Sequence, residues 1–126
     1  MVLADTSVWI RSLRAEQLYT TEFDKLLSRK QIAGHSFIYG ELLIGDCGGR
    51  TKLLSLYERL SQIDVVPHQH VVAFVRRRGL NGRGIGWIDA HLLASSVVNS
   101  VKLWTADTRL ATLANELGVG YSAHVL

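Results

Sequence analysis

Short apolar runs alternate along the chain with stretches in which apolar positions recur every three or four residues. "VLA" (2–4) reads as a short buried strand, and "SVWIRSLR" (7–14) as a short helix. "TEFDKLLSRK" (21–30) carries Phe23, Leu26 and Leu27 as a helical stripe, followed by a strand in "QIAG" (31–34). "SFIYGELLIG" (36–45) opens on Ser36 as an expected N-cap and stops at Gly45. "RTKLLSLYERLSQ" (50–62) has a helical period, and "IDVVP" (63–67) reads as a strand ended by the only proline. A helix over "HVVAFVRRRGL" (70–80), a glycine loop "NGRGIG" (81–86) and an apolar helix "WIDAHLLASSVVN" (87–99) follow. "VKLWTA" (101–106) suits a strand. "DTRLATLANELG" (107–118) suits a helix, with Leu110, Leu113, Ala114 and Leu117 on one side, and "GYSAHV" (120–125) a last strand.

Strand alternating with helix predicts an α/β fold with a mainly parallel sheet. In such sheets the functional crevice lies beyond the carboxyl ends of the strands. "VLAD" and "VKLWTAD" are each an apolar strand followed at once by an acid, so Asp5 and Asp107 are expected at one edge of the sheet.

The 126 residues fit one domain, 1–126. With 48% hydrophobic and 20% charged residues the composition is globular and excludes a disordered chain. A single cysteine, Cys47, excludes an internal disulfide and fits a reducing compartment. Asp5 interrupts the first apolar run before a signal sequence forms, and no apolar stretch approaches the roughly 20 residues of a membrane span. A soluble cytoplasmic protein with no membrane contact is expected. The net charge of +3 permits an anionic partner such as RNA without requiring one.

The acids carry the chemistry. Asp5 and Asp107 precede helices and would serve as N-caps; Asp89 falls in a first turn, where negative charge favours the helix dipole. Glu41 resists so simple an account. It lies among Leu42, Leu43 and Ile44, and a carboxylate on an apolar helix is costly unless it is paired or binds a cation. Asp89 has the same difficulty, and no basic residue adjoins either in sequence. Acids converging at one place repel unless a cation joins them. Mg²⁺ takes oxygen ligands and suits them, whereas zinc would need nitrogen or sulfur donors that do not accompany these acids. His68 and His70, read as lying in a loop after Pro67, are not expected to bind metal.

"LADTSVWI", "YGELLIG", "GIGWIDAHLLAS" and "LWTADTRL" together resemble the ordered acidic motifs of PIN domains, and most closely those of VapC-type toxins of toxin–antitoxin pairs. The resemblance runs in order from residue 2 to about 118. It implies a PIN-like α/β/α sandwich with a short, mainly parallel sheet surrounded by helices. It makes Asp5, Glu41, Asp89 and Asp107 the catalytic, metal-ligating acids, and Thr6, Ser7 and Thr105 the hydroxyls that support them. It further implies an Mg²⁺- or Mn²⁺-dependent endoribonuclease, a homodimer, and a cognate VapB-type antitoxin that covers the site.

An acidic site would repel RNA, and Arg76, Arg77, Arg78 and Arg83 form an acid-free stretch that would offset it; the plainer account is a solvated helix end. Trp9, Trp87 and Trp104 are expected in the core. "SVWIRSLR" and "TEFDKLL" are suited either to a groove for an antitoxin peptide or to plain core packing. A PIN ribonuclease of RNA processing and a catalytically silent PIN interaction module stay open as alternatives. A receiver-like phosphate-handling domain fits less well, because Lys102 starts its strand instead of ending it.

Overall fold

The computed structural model describes residues 1–122. Among these, four parallel strands form one sheet in the order β3-β2-β1-β4: β1 Val2–Ala4, β2 Ile32–Gly34, β3 Ser61–Gln62 and β4 Lys102–Trp104. Seven helices connect and cover it: α1 Thr6–Leu13, α2 Gln17–Ser28, α3 Ser36–Ile44, α4 Thr51–Glu58, α5 His68–Arg78, α6 Trp87–Asn99 and α7 Thr108–Glu116. The expected α/β architecture is therefore present. No helix among the described residues is long and apolar enough to cross a membrane.

The strands are short because each is a run of only two or three residues between helices, and β1 and β2 are buried throughout, as parallel strands covered on both faces should be. Ala4 pairs with Trp104 and Leu3 with Ala33, so β1 lies between β2 and β4. The chain steps outward from β1 through β2 to β3, then returns to place β4 on β1's other side. The switch point thus falls between β1 and β4, where a parallel sheet opens its crevice.

Beneath the sheet, Trp9 of α1 is 1% exposed and packs its ring against Phe23 at 4.6 Å and Tyr57 at 5.1 Å. Truncating such a ring costs about 3–5 kcal/mol. Helix α6 is buried from Ala90 to Ser96, which accounts for its nearly unbroken apolar sequence. Gly79, at φ 61°, ends α5 in a left-handed turn that a side chain would strain.

Several element boundaries differ from the sequence expectation for identifiable reasons. Residues 63–67 are not a strand. The third strand is Ser61–Gln62, and only the Ile63 N–H continues the pairing, donating to Gly34 O at 2.9 Å. The apolar character of this stretch comes instead from Val66, which is buried with Val71, Ala90 and Ala94 between α5 and α6. The helix before it ends at Glu58, not residue 62. Pro67 caps α5, so His68 and His70 belong to its first turn and not to a loop. Helix α2 starts four residues earlier than its apolar stripe suggests. Helix α3 is capped by His35, not Ser36: the imidazole Nδ1 accepts the Phe37 N–H at 3.0 Å. Gly120 makes a single parallel bridge to Leu103; the rest of the strand expected at 120–125 lies partly outside the described residues.

Candidate active site

Asp5 follows β1 directly and caps α1, with Oδ1 accepting the Val8 N–H at 3.2 Å. Asp107 follows β4 and caps α7, its Oδ1 accepting from Arg109 N at 2.8 Å and Leu110 N at 3.2 Å. Asp89 lies in the first turn of α6, and its Oδ2 accepts the Gly86 N–H at 3.3 Å. The plain capping account of these acids is thus correct as far as it goes.

It does not exhaust them. The Ser7 hydroxyl donates to Asp5 Oδ1 at 2.5 Å, and the Thr105 hydroxyl donates to Asp5 Oδ2. Ser7 Oγ in turn accepts the Ala106 N–H at 2.9 Å, and Thr105 Oγ1 accepts the Asp107 N–H at 3.0 Å. These bonds fasten the end of β1 to the end of β4 across the switch point. Thr6 Oγ1 reaches from α1 to α3 and donates to Glu41 Oε1 at 2.7 Å. Each acid therefore has at least one oxygen fixed by a donor. Glu41 Oε2, Asp89 Oδ1 and Asp107 Oδ2 accept no hydrogen bond among the described residues.

The electrostatics match this arrangement. Burial pushes the Asp5 carboxyl above its usual range, against the pull of the Ser7 and Thr105 hydroxyls and the backbone N–H groups. Burial also raises Asp89; the Gly86 N–H opposes it, and the charges of Asp5, Asp107 and Glu41 add to the rise. The charges of Asp5 and Asp107, at the starts of α1 and α7, and of Glu41 on α3 therefore act on Asp89 of α6, and no cationic side chain among the described residues relieves it. The four acids converge without closing up: among the described residues no three stand at the spacing that one bound ion demands. As a donor set they are suited to a hard divalent cation, being all oxygen and all anionic, with both oxygens of Asp5 fixed by donors and one oxygen each of Glu41, Asp89 and Asp107 left open among the described residues.

The other residues singled out in the sequence divide. Thr6, Ser7 and Thr105 each bond an acid of the cluster. Arg83 is held away by an ion pair to Glu116 at the end of α7, at 2.8 Å. Arg77 and Arg78 border a separate hollow of about 450 Å³ with Asp64, His70, Phe74 and Val98. Arg76 shares the last turn of α5 with them. Trp9 and Trp104 are core residues, but Trp87 is not; it is 43% exposed.

Sequence reasoning passed over His35. It is fully buried and, besides capping α3, sets its Nε2 3.1 Å from Ser95 Oγ on α6. Its backbone N–H donates to the Tyr57 hydroxyl at 2.8 Å. The signal was a histidine directly after a strand, the position at which Asp5 stands after β1.

A profile of the PIN domain matches residues 2–116. Over 126 residues, covering 99% of both chains, the sequence is 40% identical to the protein named Ribonuclease VapC32 in two strains of Mycobacterium tuberculosis, CDC 1551 / Oshkosh and ATCC 25618 / H37Rv. The crystal structure of PAE2754 from Pyrobaculum aerophilum superimposes with a TM-score of 0.56, at 17% identity, over 93% of this chain and 94% of that one, a likeness of fold.

Proposed function

The chain belongs to the PIN-domain family, and on that premise we infer that it is a VapC-type endoribonuclease whose centre is the carboxylate cluster at the carboxyl edge of the sheet. One observation carries the reading: Asp89 is surrounded by the charges of Asp5, Asp107 and Glu41 with no cation among its influences. A purely structural cluster of this kind would be self-repelling, whereas a divalent cation would resolve it.

Mg²⁺, or Mn²⁺ in its place, would be held by Asp5, Glu41 and Asp89, with Asp107 completing the set; because no three of the described acids stand at the spacing of one ion, part of the set would act through bound water, as Mg²⁺ commonly allows. When bound, such an ion supplies Lewis acidity toward a phosphoryl oxygen and eases deprotonation of water near neutral pH. The chain's own part is to hold the donors ready. Ser7 and Thr105 fix both oxygens of Asp5, and Thr6 orients Glu41. The Gly86 N–H and the α7 N–H groups aim the remaining oxygens of Asp89 and Asp107. Such supporting bonds typically matter by 10- to 100-fold in affinity or activity. In-line hydrolysis would leave a 5′-phosphate and a 3′-hydroxyl. Arg76, Arg77 and Arg78 would meet RNA phosphates, and Arg83 would do so on leaving Glu116.

The family reading extends to biology. The protein would act as the toxin of a type II toxin–antitoxin pair, as a homodimer, restrained by a VapB-type antitoxin. Incubation of a structured RNA mixture with the antitoxin-free protein tests the activity. Cleavage is expected with Mg²⁺, and is expected to vanish with EDTA and in Asp5→Asn. A folded protein that cleaves no RNA with either Mg²⁺ or Mn²⁺ would overturn the reading.

A further inference from the structure

Beside the acids runs a row of rings that the carboxylate chemistry does not use. Phe37 lies one turn before Glu41 on α3, and its ring meets His91 of α6 at 4.7 Å, edge to face. His91 meets Trp87 at 5.1 Å with the planes perpendicular, and Trp87 meets His68 of α5 at 5.2 Å. The row joins the starts of the two helices that bear Glu41 and Asp89. Trp87 stands two residues before Asp89, about 3 Å along the helix axis and about 200° around it, so the indole flanks the acids at the start of α6 without sharing their face.

Burial changes abruptly along this row. His91 is 3% exposed, and its Nδ1 has no hydrogen-bond partner among the described residues, so the ring serves there as packing. Trp87, which touches it, is 43% exposed, while Trp9 and Trp104 are 1% and 4% exposed. An indole could satisfy a core role by turning inward, as those two do. Trp87 instead is set at the surface by imidazoles and shares a hollow of about 140 Å³ with Asn81, Ile85 and Ala90. An aromatic surface beside a phosphodiester-cleaving centre is the usual platform for an unstacked base.

Resting on the ribonuclease reading, we propose that Trp87 stacks on a nucleobase of the RNA substrate next to the scissile phosphate. It thereby sets which nucleotide the acids meet. Stacking is tolerant of base identity, so the indole fixes position and a single-stranded substrate more than sequence.

The test is steady-state cleavage of short RNA oligomers, each carrying one abasic nucleotide, by the full chain and by W87A and W87F. W87A is expected to raise KM about tenfold with little change in kcat, and W87F to recover most of the loss. At one position, loss of the base is expected to cost the native protein about tenfold in kcat/KM and to cost W87A little. Because Trp9 and Trp104 are buried, added RNA should quench fluorescence from Trp87. A kcat/KM for W87A equal to the native protein's at every position of the series, or no quenching at RNA concentrations that saturate cleavage, would overturn the proposal. So would a change in sedimented mass of W87A, which would assign the indole to a contact between copies. A native protein that cleaves no RNA would remove the ribonuclease reading as well; native cleavage with W87A unchanged removes only the stacking.

Discussion

Two polar clusters adjoin the same sheet edge and are built on opposite principles. Around His35 every group has a partner: the backbone N–H bonds Tyr57, the ring Nδ1 bonds the Phe37 N–H, and Nε2 faces Ser95. Because Nδ1 accepts, the neutral ring carries its proton on Nε2 and donates it to Ser95. Around Asp5 the donors are hydroxyls and backbone amides, and the acids beyond it each keep one oxygen free among the described residues, with the charges of the others bearing on Asp89. A closed cluster serves the fold. An open cluster of like charges costs stability unless a ligand offsets it, which is what the proposed function supplies.

That contrast can be broken at either side. The largest effect is expected at Thr105. Thr105→Val deletes the hydroxyl that holds Asp5 Oδ2 and accepts the Asp107 N–H. RNA cleavage should fall about 10- to 100-fold, and the melting temperature should fall as well, because the buried Asp5 carboxylate loses a donor. On the closed side, Tyr57→Phe leaves the buried His35 N–H without its acceptor. It should cost about 1–3 kcal/mol in urea unfolding and leave the chemistry of the acids in place.

The two clusters also answer pH with opposite sign. Burial, and then the neighbouring His91, lower His35 from 6.5 to about 4. The unfolded chain therefore takes up this proton at higher pH than the folded one. Its contribution to stability is present above 6.5 and is lost as pH falls toward 4. Asp5 and Asp89 are raised above 3.8, so their contribution is present below 3.8 and is lost as pH rises through their folded values. Urea midpoints between pH 7 and 4 should decline in the native protein without divalent ions, decline less in His35→Gln, and decline more in Asp89→Asn.

The sequence made the open cluster more legible than the closed one. A strand that runs into an acid is a local pattern, and it occurs at both Asp5 and Asp107. Glu41 was singled out as a charge among apolar neighbours, although of these only Leu42 is buried while Leu43 and Ile44 are exposed, so the cost of burial was not what marked it. What escaped depended on contacts between distant elements. The apolar run 63–67 packs Val66 between helices instead of pairing as a strand, and periodicity alone does not separate those outcomes. His35 as a helix cap was hidden because Ser36, a commoner cap, stands beside it. Trp87 looked like core because its neighbours in sequence are apolar, although its i+4 partner His91 marks the side on which it packs. The expectation of a core position failed because α6 begins at the surface, with Trp87 and Ile88 exposed, and is buried only from Ala90 to Ser96.

The central claim is that the acids are held apart for a divalent cation, and thermal unfolding of the native protein and Asp89→Asn, each with EDTA and with Mg²⁺, tests it most directly. With EDTA, Asp89→Asn should melt a few degrees higher, because it removes a carboxylate that burial and three neighbouring charges disfavour. Mg²⁺ should raise the native protein and barely move the variant, so that their order reverses. If Mg²⁺ leaves the native melting temperature unchanged, or shifts both proteins equally, the acids are not a cation site and the account fails.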